Sequence, residues 1–240
     1  MAPEGDLAWS RTRPAVAARL LLVRGVLGPL MDRYARRTVR GSEHLRAVDG
    51  PVLLVATHAS HMDAPTILRS LPPALARRTA VAAAADYFYA RPALAATVAL
   101  AFGTVPVRRD GDAAASTLDA LIDAGWSLVV FAEGTRSRSG AVGRLHTGAA
   151  VLAAAHAIPI VPVLVTGTHA VMPPGRSWMR RPSRGRRGEV VVRFGPPVRP
   201  APDEHRTAVM ERVRRFYAAA GAETTLDKRI AAERRRAVAG

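Results

Sequence analysis

The stretch Pro51-Val52-Leu53-Leu54-Val55-Ala56-Thr57-His58-Ala59-Ser60-His61-Met62-Asp63-Ala64-Pro65 carries the decisive pattern. Pro51 to Ala56 is a short apolar run that stops at a cluster of polar and small residues, which reads as a strand. Ala64-Pro65 opens a helical segment with proline in its first turn, where a missing N–H does no harm. A strand, a turn and a helix start therefore follow one another within fifteen residues. His58 and Asp63 fall at the two ends of that turn. On one helix they would stand about 140° apart, because five steps of ~100° overshoot a turn. A strand end and a helix start are needed to bring them together.

The same alternation continues along the chain. Thr79 to Ala84, Ser127 to Phe131, Ile158 to Val165 and Glu189 to Phe194 read as further strands. Helical segments are expected over Ala64 to Ser70, Arg91 to Phe102, Ala113 to Ala124, Thr147 to Ala157 and Pro202 to Ala219. Gly103 to Asp110 reads as a helix end that places cations beside a turn. The expected fold class is α/β: a single domain with a largely parallel or mixed central sheet flanked by helices, plus an N-terminal amphipathic helical segment. The boundaries expected are 1–37 for that segment, 38–220 for the main domain and 221–240 for a basic C-terminal helix or tail.

In the first segment, Leu20, Leu21, Val23, Val26, Leu27, Leu30 and Met31 alternate with Arg19, Arg24 and Arg33, an apolar face beside a basic one. Such a helix either lies among lipid headgroups or packs on the domain's own core. Gly25, Gly28 and Pro29 mark a break or kink. No stretch reads as a membrane span: Arg19 and Arg24 interrupt Pro14 to Met31, and Pro92 to Gly103 is too short. Nor does Met1 to Ser10 look like a secretory signal.

Composition narrows the function. The 240 residues carry 35 Lys+Arg against 19 Asp+Glu, for a net charge of +16. Polyanions such as anionic lipid or nucleic acid are the natural partners. Arg176, Arg180, Arg181, Arg184, Arg186 and Arg187 crowd one Pro/Gly-rich loop. The chain has no Cys and its aromatic content is 5%, so thiolate chemistry, Cys-built zinc sites and aromatic stacking platforms are absent. No nucleic-acid module is recognisable, and no nucleic-acid partner is expected.

His58 and Asp63 fit a dyad in which the carboxylate fixes one imidazole nitrogen and the other takes a proton from an alcohol. Alone, the pair reads more readily as a structural His with a helix-capping Asp. A Ser60 nucleophile and a metal site from His58, His61 and Asp63 are the other readings, and His61 fits an ordinary turn residue. Companion segments supply the context: Gly103-Thr104-Val105-Pro106-Val107-Arg108-Arg109, Phe131-Ala132-Glu133-Gly134-Thr135-Arg136-Ser137 and Ile158-Pro159-Ile160-Val161-Pro162-Val163.

In this order the four segments resemble the glycerolipid acyltransferase family, of the 1-acyl-sn-glycerol-3-phosphate acyltransferase type, over about Arg40 to Pro197. The resemblance implies His58 as general base and Asp63 as its orienting partner. It also implies Arg109, Glu133, Gly134, Thr135 and Arg136 as the acceptor-phosphate and glycerol site, and Pro159 to Val163 as an element of acyl-chain binding or of the shape of the site. The reaction implied moves an acyl group from acyl-CoA or acyl carrier protein to a lysophospholipid hydroxyl, with no cofactor and no metal. It would proceed peripherally at the cytoplasmic face of an anionic membrane. Four positions depart from the family pattern: Thr57 for Asn, Arg108 for an acid, Ala132 for Pro and His146 for Lys or Arg. They bear on the acceptor, not on the dyad.

Overall fold

Leu53, Leu54, Val55 and Ala56 are all 0% exposed, as a strand must be when helices cover both faces of its sheet. They form the centre of a computed structural model that describes residues 7–84, 92–107, 112–182 and 185–223. The expected tail beyond residue 223 and Arg184 of the basic loop lie outside the described residues. The described residues contain seven strands: β1 (Ala35–Arg40), β2 (Leu53–Ala56), β3 (Thr79–Ala84), β4 (Thr104–Val107), β5 (Ser127–Phe131), β6 (Ile160–Thr166) and β7 (Gly188–Phe194). Their order is β1-β7-β6-β2-β5-β3-β4. All neighbours run parallel except β6 and β7, so the sheet is mixed and the fold is a single α/β domain.

Side chains alternate between two helical layers, as a two-residue period demands. Leu53 and Val55 pack with Leu118, Ala153, Val213 and Tyr217, which come from helices Asp112–Asp123, Gly148–Ala155 and Arg206–Ala219. Leu54 and Ala56 point the other way, toward Val23, Ile67 and Leu68. Pro162 lies inside a central strand, where proline is normally excluded. Its carbonyl accepts from Gly195 N–H, so its absent donor faces the β7 side. There Pro162 stands opposite Gly195, one step beyond the last paired residues Val163 and Phe194, so only the return bond to Gly195 O is lost, at the end of the ladder.

Two strands depart from the sequence-based expectation. The segment after Gly103 is the strand β4, not a helix end with a turn. Residues Ala35 to Arg40, read as the end of the N-terminal segment and the start of the next, form β1. The N-terminal helix also differs. It runs unbroken over Arg13–Asp32, widening to a π-helical stretch at Leu22–Leu27 instead of breaking at Gly25 or Pro29. With 20 residues and a mean hydropathy of 1.4 it is long and apolar enough to cross a membrane, contrary to the expectation from Arg19 and Arg24.

Its contacts nonetheless join it to the domain. Val23 is 2% exposed in the second core layer, and Arg24 Nη2 donates to Leu71 O at 2.9 Å. Arg19 is likewise buried, at 2% exposed. Its guanidinium donates to Leu100 O (3.0 Å), Ala99 O (3.1 Å) and Ser10 O (2.5 Å). Two of these carbonyls end the helix Pro92–Phe102, whose dipole favours a cation. Gly103 follows with φ +65°, and a Cβ there would lie 2.7 Å from Arg19 Cζ. Only glycine suits both the turn and the approach.

Candidate active site

β2, β5 and β6 are parallel neighbours, so the turns after them converge on one edge of the sheet. This is where ligands collect in open α/β folds. The turn after β2 carries His58 to Asp63, that after β5 carries Ala132 to Arg136, and that after β6 carries Gly167 and Thr168.

Asp63 begins the helix Asp63–Ser70 and is fully buried. Its Oδ2 accepts from His58 Nδ1 at 2.9 Å, from Ala59 N–H at 2.7 Å and from Ser60 N–H at 2.8 Å. Its Oδ1 accepts from Thr168 Oγ1 at 2.6 Å. The expected pairing across the turn is therefore formed, with Nδ1 on the carboxylate and Nε2 left as the ring nitrogen a substrate can reach. The imidazole side chain is 19% exposed and stacks on Phe131, with ring centroids 3.9 Å apart and 21° between planes. A ring held by one hydrogen bond and one stacking contact has little freedom to rotate.

Glu133 reaches the same place from β5. Its Oε1 accepts from His58 N–H (2.9 Å) and its Oε2 from Gly143 N–H (2.8 Å). Burial pushes this carboxyl above its usual range, against the pull of the two N–H donors. Both oxygens thus serve backbone groups, so Glu133 braces its own loop at Gly143 and joins that loop to the turn after β2. Ser137 N–H in turn donates to His58 O at 2.7 Å, tying the motif backbone a second time to the loop after β5.

Three more of the sequence-expected residues, Gly134, Thr135 and Arg136, follow Glu133 in the loop after β5. Gly134 and Thr135 are exposed. Arg136 lies close enough to His61 that its charge, second only to burial, helps hold that imidazole down to about 4. His61 is accordingly neutral at physiological pH. Arg108 and Arg109 lie outside the described residues. Ser60 is 0% exposed; its hydroxyl donates to Met172 O at 2.7 Å and accepts from Met62 N–H, so it is a structural pin. Among the described residues no group of three or more His, Cys, Asp or Glu side chains comes together as metal ligands would.

The departures from the family pattern are mostly structural. Thr57 is 4% exposed, and its hydroxyl binds the Val165 backbone at 3.0 and 3.3 Å, which locks β2 to β6. Ala132 is buried. His146 donates its N–H to Ala132 O at 2.8 Å and holds its ring over Gly134, 3.5 Å from where a Cβ would stand.

Sequence reasoning missed two partners of the dyad. Phe131 was read only as a strand end, although its position just before the Glu133 turn places it beside any group on the next strand's end. Thr168 had no local signal at all, since it meets Asp63 across 105 positions.

Comparison with known proteins bears on the family and the fold. The sequence pattern of the family described as Acyltransferase matches residues 36–166. A chloroplastic 1-acyl-sn-glycerol-3-phosphate acyltransferase, BAT2 of Brassica napus, is 30% identical over 146 residues, covering 59% of this chain and 40% of that protein. A 1-acyl-sn-glycerol-3-phosphate acyltransferase of Limnanthes douglasii is 29% identical over 165 residues, covering 67% and 53%. The chain thus matches about half or less of the length of these curated relatives. The crystal structure of the 1-acyl-sn-glycerophosphate acyltransferase PlsC from Thermotoga maritima superimposes with a TM-score of 0.65 over 92% of this chain and 89% of that one, at 23% identity. This last likeness is one of fold.

Proposed function

The chain belongs to the acyltransferase family, and from that premise we propose that it moves a fatty acyl group from an acyl thioester to the hydroxyl of a lysophospholipid. The acceptor is 1-acyl-sn-glycerol-3-phosphate and the product phosphatidate, the reaction named for its plant relatives and its structural neighbour. The observation that carries this reading is the hydrogen bond from His58 Nδ1 to the buried Asp63 carboxylate at 2.9 Å, which leaves Nε2 in a single, basic tautomer.

His58 Nε2 takes the hydroxyl proton as the oxygen attacks the thioester carbonyl; a C–O bond forms and the carbonyl becomes a tetrahedral oxyanion. The oxyanion collapses, the C–S bond breaks, and the imidazolium returns its proton to the leaving thiolate. No protein nucleophile takes part. Arg136 holds the acceptor phosphate, with Arg109 as its partner in that role, and so fixes the hydroxyl near the base. Glu133, Gly134 and Thr135 shape the acceptor site, and acyl-CoA or acyl carrier protein supplies the acyl group.

The reaction takes place at an anionic membrane surface, on its cytoplasmic face. Arg33, Arg36, Arg176, Arg180, Arg181, Arg186 and Arg187 are exposed, as is Trp178, 57% exposed, and the loop after β6 that carries most of them starts at the edge that carries His58. Cations near headgroups and an interfacial indole are what such a surface attracts. On the N-terminal helix, Leu21 and Val26 are also exposed.

Product analysis tests the proposal. Purified protein is given acyl-CoA or acyl carrier protein together with lysophosphatidate, other lysophospholipids or glycerol 3-phosphate, and the lipid products are separated. Phosphatidate formed from lysophosphatidate is expected. Acylation of another hydroxyl in preference would keep the chemistry and replace the acceptor, and no acylated product from any pairing would contradict the reading.

A further inference from the structure

The turn after β6 does more than connect it to β7. Gly167 takes φ +88°, and a Cβ there would lie 1.8 Å from Glu189 O, so the chain crosses the end of β7 at a point where only glycine fits. That crossing aims Thr168, 0% exposed, at the dyad. Two hydrogen bonds then join the segment to the motif turn: Thr168 Oγ1 to Asp63 Oδ1 at 2.6 Å and Ser60 Oγ to Met172 O at 2.7 Å.

We propose that Thr168 is a positioning residue of the reaction, holding the Asp63 carboxylate in the rotation that presents Oδ2 to His58 Nδ1. The inference rests on the reading of His58 as the base. Oδ2 already takes three donors, two of them backbone N–H groups on the turn itself. These fix where Oδ2 lies but do not fix the plane of the carboxylate. Thr168 is the donor on the other oxygen, and it comes from a different strand's end. With both oxygens held, rotation about Cβ–Cγ is blocked and the imidazole is locked in plane with its partner. A buried carboxylate oxygen deprived of its donor is costly to leave unpaired, so without the hydroxyl the carboxylate turns to seek another donor and Oδ2 leaves the line to Nδ1.

The test compares Thr168→Val, which keeps the shape and removes the hydroxyl, with Thr168→Ser, which restores it. Two readouts are used on the full chain. The first is the low-field proton NMR signal of the His58 Nδ1–H to Asp63 hydrogen bond, identified by its loss in Asp63→Asn. The second is steady-state kinetics with acyl-CoA and lysophosphatidate.

In Thr168→Val the signal should broaden or move upfield, and kcat should fall about 10- to 100-fold, the scale of a misplaced general base. The KM values for both substrates should hold, and Thr168→Ser should recover signal and kcat together. An unchanged signal with unchanged kcat in folded Thr168→Val overturns the proposal. So does a lowered melting temperature with signal and kcat intact, which would make Thr168 merely a packing residue. If the wild type acylates no acceptor while the signal still responds to Thr168→Val, the positioning role stands and the proposed function fails.

Discussion

Asp63 and Arg19 are both buried, one at the carboxyl edge of the parallel strands and the other near their amino edge, at the end of the helix that leads into β4. They are solvated in opposite ways. Asp63 receives four donors, and one of them is a titratable, partly exposed imidazole. Arg19 gives its protons to backbone carbonyls, while its Nη1 and the nearby Ser10 Oγ, both buried, make no hydrogen bond with the described residues. Burial lowers Arg19 to about 10, still charged at physiological pH. Carbonyls cannot carry a proton away, so Arg19 only clamps the N-terminal helix to the helix Pro92–Phe102. Asp63 has a partner that can relay its influence to a substrate. A buried charge becomes functional through the chemistry of its neighbours, not through burial itself.

Substitutions at the two ends should separate these roles. His58→Ala should lower kcat by at least the ~10²–10⁴-fold typical of general base catalysis, with the melting temperature near that of the wild type; thiol release and thermal denaturation measure the two. Arg19→Met should do the reverse. It leaves the carbonyls of Ser10, Ala99 and Leu100 without their donor, so stability should fall by about 1–3 kcal/mol. Turnover per folded molecule should hold. Loss of turnover in a folded Arg19→Met protein would erase the contrast between the two ends.

A smaller effect sharpens the picture of the catalytic end. Arg136→Ala should raise the KM for a phosphorylated acceptor about tenfold, the loss of roughly 1.4 kcal/mol of charge-assisted bonding, and spare the KM for the thioester. The same substitution removes a charge that, after burial, holds His61 down to about 4, so the His61 titration followed by NMR should move upward from the wild-type one. A His61 titration that ignores Arg136 would place the guanidinium elsewhere.

The smallest effect belongs to a surface pair remote from both ends. His156 meets Asp119 at 2.7 Å and Asp123 at 3.1 Å, and the hydrogen bond to Asp119 is the main cause that raises its pKa. A raised folded-state pKa means that the contribution is full below the unfolded value near 6.5 and fades as pH rises through the folded one. The melting temperature of His156→Gln should therefore trail the wild type at pH 5.5 and match it more closely at pH 9.

Much of this was legible from local sequence. The apolar run at Pro51 to Ala56, the polar turn after it and the proline-marked helix start announced the strand and the geometry that pairs His58 with Asp63, and the companion segments supplied its chemical reading. β1 escaped because an edge strand exposes alternate residues, and Arg36, Thr38 and Arg40 take those places, so no apolar run appears. β4 escaped because it is only four residues long, includes Pro106 and directly follows a helix. The backbone contacts of Glu133 and the place of Thr168 were not readable at all. Glu133 answers backbone N–H groups at positions 58 and 143, and backbone donors leave no trace in residue identity. Thr168 depends on the crossing of β6 and β7, which only the assembled sheet supplies.

The central claim is direct transfer with His58 as the base, and thiol release followed in time tests it most directly. Wild type and His58→Ala are each preincubated with acyl-CoA, and lysophosphatidate is then added. The account predicts no release before the acceptor arrives, steady release afterwards in the wild type and almost none in His58→Ala. A burst of thiol stoichiometric with enzyme before the acceptor is added, or equal rates from the two proteins, would contradict it.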